Sequence, residues 1–279
     1  MHSTLQLLLA GSGAAALVMT MLWLLGIRQH NMSYVDIGWS ANFALLAAIY
    51  GLLGGGAPVR RLLISAMFAL WGLRLAWHLA RRIIGEPEEG RYTELRRAWG
   101  GGDTARPNAR FLAFFLLQAS LNVVLSLPLL IACQNRAPQI QPLEWFGLGI
   151  WCLALLGESR ADAELARFRA DPANRGKVCA AGLWRYSRHP NYFFEWTIWI
   201  AYAVFALASP PAGYVGLLMP VLMLHFLINL TGIRATESQA LRSKGEAYRE
   251  YQRRTSAFVP WFPRRSAADH DAGASGHSR

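Results

Sequence analysis

Long apolar runs separated by short polar segments dominate this chain. Seven runs come close to the roughly 20 residues that a helix needs to cross the hydrocarbon core of a bilayer. They cover residues 4–27, 36–54, 61–80, 110–133, 143–159, 191–209 and 213–233. Because lipid offers backbone N–H and C=O groups no partner, each run is predicted to be a helix. The pattern therefore predicts an all-α integral membrane protein with seven transmembrane helices and cytoplasmic loops.

Positive charge is concentrated on one side of the predicted helices. Seven spans place the two termini on opposite sides, and the loops on the C-terminal side hold 24 lysines and arginines, against 3 in the other loops. Because basic loops remain in the cytoplasm, we expect a cytoplasmic C-terminus and a periplasmic N-terminus in a bacterial inner membrane. The net charge of +11 then reflects topology and anionic membrane lipids, or an anionic ligand on that face, and no nucleic-acid partner is expected.

Composition disfavours several classes of protein. Hydrophobic residues make up 53% of the chain and charged residues 16%, which is unlike a soluble enzyme or a disordered protein. Cys133, Cys152 and Cys179 cannot form a disulfide framework, and no Cys or His spacing suggests a metal site. We expect a monomer with one membrane domain over residues 1–263, whose site-building half is 157–263, and a disordered tail at 264–279.

Some residues interrupt the apolar runs. Pro128 and Pro220 lie within runs and should bend the helices. Asp36 begins the second run, where it is either a helix N-terminal carboxylate favoured by the macrodipole or a buried acid. In the second case apolar surroundings keep the acid protonated, so that it can donate a hydrogen bond. Arg74 in the third run either snorkels to the interface or pairs with an acidic group.

Two amides share one face of the fourth predicted helix. Gln118 and Asn122 are four residues apart, so both either hold neighbouring helices together or line a pocket. Residues 248–255 mix tyrosines with arginines, which predicts an amphipathic helix at the membrane interface.

The densest cluster of polar residues lies between 157 and 199. Asp162 and Arg169 share one helical face. Pro190 is placed to begin a helix on which Asn191 and Glu195 are one turn apart. Arg185, Arg188 and His189 come just before this helix. A helix N-terminus beside such cations is an anion site, or else the stretch contacts lipid head groups.

These residues resemble a known family. Arg188-His189-Pro190-Asn191-Tyr192 after Gly182–Ser187, the carboxylate of Glu195 and a late Tyr-x-x-Tyr followed by Pro260 are similar to the steroid 5-alpha-reductases. The similarity is strongest to the bacterial membrane branch of 3-oxo-5-alpha-steroid 4-dehydrogenase-like proteins. Isoprenylcysteine carboxyl methyltransferases and phospholipid methyltransferases share the Arg-His-Pro segment and are more distant.

The resemblance implies a seven-span enzyme that takes NADPH from the cytoplasm and reduces the C=C bond of an α,β-unsaturated ketone lipid, such as a 3-oxo-Δ4 steroid. Hydride transfer goes to the β-carbon, while Asp36 polarises the carbonyl. The resemblance and the cluster together suggest cofactor contacts at Asn191, Glu195, Asp162, Arg169, Arg188, His189, Tyr192, Arg91, Tyr92, Arg253 and Arg254. The substrate pocket is expected to include Trp71, Trp199 and Gln118.

Two positions depart from the family pattern. The glycine that the family has before its second-site glutamate is Phe194 here, and the expected third-span tyrosine aligns near Trp71. Tryptophan donates a hydrogen bond but transfers no proton. Tyr34, two residues from Asp36, is therefore the candidate hydroxyl of the catalytic pair.

Two other functions fit the sequence. In an S-adenosylmethionine-dependent methyltransferase of a lipid or prenylated thiol, Arg188, His189 and Glu237 would hold the amino acid part of the cofactor. Against this, such enzymes usually carry paired glutamates, and Thr236 stands beside Glu237. A non-catalytic lipid-binding membrane protein would bind neither nucleotide.

Overall fold

The structure is a computed structural model that describes residues 2–99, 105–230 and 232–264. The described residues are helical and include no β-strand. The α-helices are α1 (Thr4–Gln29), α2 (Tyr34–Leu53), α3 (Pro58–Ile83), α4 (Gly90–Ala98), α5 (Ala105–Leu125), α6 (Leu127–Gln134), α7 (Pro142–Ala170), α8 (Pro190–Ala206), α9 (Leu218–His225), α10 (Ile233–Lys244) and α11 (Glu246–Arg254). Short 3₁₀ helices cover Pro172–Asn174, Gly182–Arg185 and Ala212–Leu217, and a π-helix covers Phe226–Leu230. Of the predicted tail, the structure describes Arg264 alone.

The chain divides into two compact units. The first unit contains Met1–Leu148 and Tyr202–Gly216, and the second contains Gly149–Ala201 and Leu217–Arg279. The predicted cluster at 157–199 belongs to the second unit, whereas Asp36 and Arg91 belong to the first. Each unit is described below by itself.

Several helices are long and apolar enough to cross a membrane. By length and hydropathy, α1, α2, α3 and the helical stretch Ala212–Lys244 qualify among the described residues, and the pair α5 and α6 is a fifth if it counts as one broken span. Helix α8 has 17 residues, which at 1.5 Å per residue gives about 26 Å, slightly short of the hydrocarbon core. Four or five candidate spans are compatible with an integral membrane protein.

The fourth predicted span is bent, as its proline suggests. The segments 109–125 and 127–134 meet at 41°, and Pro128 lies in the first turn of α6. Since proline cannot donate to the preceding turn, the ladder of helical hydrogen bonds breaks here. Ser126 at the break turns its hydroxyl back to the carbonyl oxygen of Val123, at 2.8 Å. The predicted bend at Pro128 is confirmed.

Small residues allow α2 and α3 to approach closely. A Cβ atom on Gly72 of α3 would lie 2.7 Å from the carbonyl oxygen of Ser40 on α2, so glycine is required there. Asn122 of α5 donates to the carbonyl oxygen of Trp39 at 2.9 Å and accepts from Asn42 at 3.2 Å. Asn122 therefore holds α5 to α2, which is the first of the two roles that the sequence left open.

A buried arginine organises one end of the first unit. Arg60, in the first turn of α3, is fully enclosed and forms a two-pronged ion pair with Glu144 of α7. Its remaining N–H groups donate to the carbonyl oxygens of Asn135, Ala137 and Gln139. The loop between α6 and α7 is thereby wrapped around one side chain. Arg60 is one of the three basic residues in the loops opposite to the basic side. Its buried contacts explain its presence there without reference to membrane topology.

Glu144→Ala is expected to destabilise the protein by about 3–5 kcal/mol, because it leaves the guanidinium of Arg60 buried without its counter-charge. Thermal or denaturant unfolding of detergent-solubilised protein measures the loss. Glu246→Ala is the matched control, since Glu246 is 65% exposed and pairs with surface arginines. The loss of stability in this control should be negligible, because solvent screens exposed ion pairs. Equal small losses in both variants would contradict the proposed role of the Arg60–Glu144 pair.

Candidate functional site

The segment before α4 is anchored to the beginning of α2. Glu88 accepts from the backbone N–H of Met32 at 2.8 Å and pairs with Arg96 at 2.9 Å. The backbone N–H of Glu89 donates to the hydroxyl of Ser33 at 3.0 Å. These contacts satisfy backbone groups near a helix end that would otherwise lack partners. They hold α4, which is too short and polar to span a membrane, against the first turn of α2.

Asp36 lies in that first turn and is bound from α4. Tyr92 donates its hydroxyl proton to Oδ1 of Asp36 at 2.6 Å, and Arg91 forms an ion pair with Oδ2. Tyr92 is 4% exposed, and the guanidinium of Arg91 lies 4.8 Å from the centroid of its ring. The sequence predicted that Asp36 donates a hydrogen bond; in this arrangement it accepts two. Its position at a helix start agrees with both interpretations that the sequence left open.

Burial raises the pKa of the Tyr92 hydroxyl well above its usual value, and the neighbouring Asp36 charge adds to the effect. Tyr92 therefore keeps its proton at physiological pH and remains a donor. Arg91 also contacts Glu89 at 3.1 Å, and Glu89 pairs with Arg82 at 2.7 Å. Arg82, Glu89 and Arg91 therefore form a row of alternating charges that ends at Asp36 on α2.

The other predicted residues of the first unit have different surroundings. Tyr34 is the first residue of α2 and lies two positions from Asp36, so the two side chains point to different faces of the helix. Trp71 is fully buried and packs edge-on against Trp39, at 6.2 Å between ring centroids, and against Tyr202, at 6.5 Å. Gln118 is half-buried on α5, one turn before Asn122.

In the second unit, the segment 184–189 is held by the C-terminal residues. The hydroxyl of Ser187 donates to the carbonyl oxygen of Phe258 at 2.8 Å, and the backbone N–H of Arg188 donates to Ser256 at 2.8 Å. Tyr251 donates its hydroxyl proton to the carbonyl oxygen of Trp184. Burial raises the pKa of Tyr251, so that this donor stays protonated. The predicted helix in this region is confirmed as α11 (Glu246–Arg254). Tyr251 and the residues that follow α11 hold the 184–189 segment through these hydrogen bonds.

Arg188 and His189 converge on one carboxylate. Arg188 Nε donates to Oε1 of Glu237 at 2.7 Å, and Nε2 of His189 is 3.3 Å from the same oxygen. Gln252 donates to the other oxygen, Oε2, at 2.9 Å. The guanidinium of Arg188 also donates to the carbonyl oxygens of Gln252 and Thr255, at 3.0 and 2.7 Å. We call Arg188, His189, Glu237 and Gln252 the Glu237 clasp.

Helix α8 begins at Pro190, as predicted, and carries the remaining residues of the motif. Asn191 donates to Oδ1 of Asp162 on α7 at 3.3 Å, which joins two predicted cofactor contacts that are 29 positions apart. Tyr192 stacks on His189 with ring centroids 5.4 Å apart. Glu195 is half-buried and Trp199 fully buried on the same helix. Arg169 is exposed near the end of α7.

Phe194 takes space that a glycine on the facing helix leaves open. A Cβ atom on Gly157 of α7 would lie 2.5 Å from the ring of Phe194. The glycine at 157 therefore makes room for the ring of Phe194, and the two helices approach through one small and one large residue.

Comparison with known proteins gives the family. The profile of the family described as "Protein of unknown function (DUF1295)" matches residues 22–255. The chain belongs to the DUF1295 family. It is also 26% identical, over 86% of its length, to an uncharacterised protein of the fission yeast Schizosaccharomyces pombe, of which the match covers 75%. No solved structure matches this chain.

The DUF1295 match includes both the Asp36 contacts and the Glu237 clasp. Sequence reasoning did not assign a role to Gln252, Tyr251 or Glu164. Glu164 accepts from the backbone N–H of Leu183 at 2.8 Å and thus supports the turn that precedes the motif. The one available signal for Tyr251 was its place in the Tyr-x-x-Tyr pattern. Within the described ranges, no group of three His, Cys, Asp or Glu residues could hold a metal ion.

The late arginines have unequal surroundings in this DUF1295 chain. Arg253 pairs with Glu246 at 2.9 Å and Glu250 at 2.6 Å on the surface of α11. Arg254 accepts from the backbone N–H of Arg264 at 2.9 Å through its carbonyl oxygen. Surface pairs of this kind break easily when an anionic ligand competes, so the predicted cofactor contact of Arg253 or Arg254 stays a prediction.

Glu237→Ala is expected to destabilise the second unit by about 2 kcal/mol, because three charged or polar partners lose their acceptor. Thermal unfolding and limited proteolysis of residues 251–264 measure the effect. Glu250→Ala removes a more exposed carboxylate from α11, and its cost should stay below about 1 kcal/mol. If both variants behave alike, Glu237 does not hold the C-terminal segment.

Gly157→Ala is expected to cost about 1–3 kcal/mol by overpacking against Phe194. In a Phe194→Ala background the same substitution should cost nothing, since the ring is gone. Gly149→Ala on the same helix is the control, because a Cβ there meets open space and alanine favours helix by about 1 kcal/mol. Thermal unfolding of the four variants completes the cycle. A penalty for Gly157→Ala that persists without the ring would show that Phe194 is not the reason for the glycine.

Proposed function

We propose that this protein is a membrane-embedded, NADPH-dependent reductase of the C=C bond of an α,β-unsaturated ketone lipid, such as a 3-oxo-Δ4 steroid. The observation that carries the proposal is the contact between Asn191 and Asp162. The resemblance to steroid 5-alpha-reductases assigns both residues to the cofactor, and they lie far apart in sequence. Their contact gathers an amide and a carboxylate at the start of a helix, which suits the amide of a nicotinamide ring.

The second unit has polar groups suited to the nicotinamide amide and cations suited to the phosphates of a dinucleotide. A nicotinamide amide needs both a donor and an acceptor, and Asn191 can supply both while Asp162 and Glu195 supply acceptors. Phosphate groups need cations, and the 160–190 segment exposes arginines and a lysine beside this helix. They are Arg160, Arg167, Arg169, Arg175, Lys177 and Arg185. When bound, NADPH supplies the hydride.

The roles proposed for the chain itself are orientation and stabilisation of charge. Asn191, Asp162, Glu195 and Tyr192 orient the nicotinamide, and arginines of the cytoplasmic face hold the phosphates. Asp36 in its protonated form stabilises, by hydrogen-bond donation, the charge that develops on the carbonyl oxygen of the substrate, an effect usually worth a few kcal/mol for each donor. Trp71 of the first unit and Trp199 of the second are proposed, each by itself, as apolar contacts of the lipid substrate. A proton from solvent completes the reduction at the α-carbon.

The proposal includes a complete membrane topology. Helices α7 and α8 are added to the spans supported by hydropathy, which gives seven, with the N-terminus periplasmic and the C-terminus cytoplasmic. Helix α7 has 29 residues, or about 43 Å, so its basic end would extend beyond the hydrocarbon into the cytoplasm. The distribution of arginines supports this orientation.

One observation favours a second candidate function. Arg188, His189 and Glu237 do lie together, as the methyltransferase hypothesis requires of residues that hold S-adenosylmethionine. Tyr192 and Thr236 are 3.5 Å apart through their hydroxyl oxygens, so a hydroxyl occupies the place of the second glutamate. The methyltransferase function therefore remains the alternative, and non-catalytic lipid binding is the third.

Thermal stability of detergent-purified protein, titrated with NADPH, NADH and S-adenosylmethionine, distinguishes the three functions. A ligand that binds only the folded state stabilises it by about 2.7 kcal/mol at 100 times its dissociation constant. We expect stabilisation by NADPH, and an approximately tenfold weaker affinity in Asn191→Ala, the effect of one lost hydrogen bond. Gln239→Ala, exposed on α10, is the control and should bind as wild type does. Stabilisation by S-adenosylmethionine alone would support the methyltransferase, and no stabilisation would support lipid binding.

A further inference from the structure

We propose that Tyr92, rather than Tyr34, is the catalytic hydroxyl that works with Asp36. The inference rests on the proposed reductase function and deepens it by naming the group that contacts the substrate carbonyl. It also makes α4, a short helix outside the apolar spans, part of the catalytic apparatus. The structural basis is the 2.6 Å contact between the Tyr92 hydroxyl and Oδ1 of Asp36.

The position of Tyr92 is fixed on both sides of its ring. It belongs to a buried apolar cluster with Met32, Val35, Phe111 and Phe115. Phe114 packs against the ring in an edge-on contact, at 6.3 Å between centroids. Since a packed aromatic ring has few alternative rotamers, the hydroxyl is held where Asp36 can reach it. A preorganised donor of this kind costs no reorganisation during reaction.

The two other positions considered for the catalytic hydroxyl, Tyr34 and Trp71, are less suited than Tyr92 to reach Asp36. Tyr34 lies on the same helix as Asp36 but points to another face, because positions i and i+2 are about 200° apart. The position of the expected third-span tyrosine is Trp71, whose ring is enclosed by Trp39, Phe43 and Tyr202. Trp71 thus has a packing role in the core, and its indole ring carries no hydroxyl group. Tyr92 is therefore the hydroxyl that geometry joins to the acid.

Tyr92 can donate its hydroxyl proton to a substrate carbonyl oxygen only when Asp36 is protonated. A tyrosine has a single O–H, and as long as Asp36 is a carboxylate that proton is given to Oδ1. When Asp36 carries a proton, its own O–H can donate to Oη of Tyr92. The Tyr92 proton is then available to the substrate oxygen. Only hydrogen bonds rearrange, so the acid recovers its starting state when the product leaves.

Arg91 acts on the balance between these two states. Its ion pair with Asp36 favours the carboxylate. Arg91 also reaches Glu89, at 3.1 Å, and its side chain is 41% exposed. It can therefore leave Asp36 without losing every carboxylate partner. Arg82, Glu89, Arg91 and Tyr92 are the charged and titratable groups that act on Asp36.

Steady-state reduction of progesterone by NADPH compares Tyr92→Phe with Tyr34→Phe. Tyr92→Phe keeps the packed ring and should lower kcat about 100-fold, as loss of one preorganised donor does. KM and NADPH affinity should change by less than about threefold, since the hydroxyl acts on developing charge. Tyr34→Phe tests the alternative hydroxyl, and Tyr214→Phe, at an exposed tyrosine, is the matched control that should retain wild-type kcat. A loss in Tyr34→Phe with normal kcat in Tyr92→Phe overturns the proposal.

Changes at Asp36 provide a second test of the pairing. Asp36→Leu should lower kcat by about 100-fold or more, and adding Tyr92→Phe should lower the residual rate by less than about threefold, because the two residues act as a unit. Asp36→Asn keeps an N–H that donates to Tyr92, so its loss should be below about tenfold. An Asn variant as inactive as the Leu variant, or independent losses, overturns the pairing. Wild-type protein that binds no NADPH, or binds it and reduces no enone, overturns the proposed function and this inference with it.

Discussion

A charged group in an apolar helical bundle must have a partner, because the surroundings offer it no water. This constraint accounts for three ion pairs that the described residues form. Arg60 is paired with Glu144, Asp36 with Arg91 and Tyr92, and Glu237 with Arg188 and His189. In each case one partner lies at or near a helix start, so satisfying the charge also fixes where a helix begins relative to a loop. Apolar packing between helices alone would leave those loops undetermined.

Two of these arginines differ in how many of their N–H donors are already hydrogen-bonded and in how exposed they are, and this difference separates a structural ion pair from one that could take part in ligand binding. Arg60 is enclosed and has acceptors from three carbonyl groups in addition to its carboxylate. A side chain with every donor used and no exposed surface cannot take part in chemistry without unfolding its surroundings. Arg91, by contrast, is 41% exposed and contacts two carboxylates. A cation shared between two acceptors can exchange partners at low cost, which is the property that ligand binding requires.

The helices were predictable from sequence because their cause is local. Apolar run length, and proline at the start of α3, α7 and α8, correspond to α-helices in the structure. The partner of Asp36 was not predictable, since Tyr92 is 56 residues away and its position depends on how the 84–89 segment packs on α2. Proximity in sequence suggested Tyr34 instead. Proximity misleads on a helix, where neighbouring positions point to different faces.

The Glu237 clasp bears on the choice between the two enzymatic hypotheses. Both oxygens of Glu237 already accept hydrogen bonds, from Arg188 and His189 on one side and from Gln252 on the other. The ammonium group of S-adenosylmethionine would have to displace one of these donors, and displacement of Arg188 would release the carbonyl oxygens of Gln252 and Thr255 as well. A second glutamate would remove this conflict, but position 236 is threonine. The Asn191–Asp162 contact joins α8 to α7 and includes no residue of the C-terminal segment. Under the proposed reductase function, a ligand amide that replaced this contact would leave the Glu237 clasp in place, and this difference supports the proposed nicotinamide cofactor over S-adenosylmethionine.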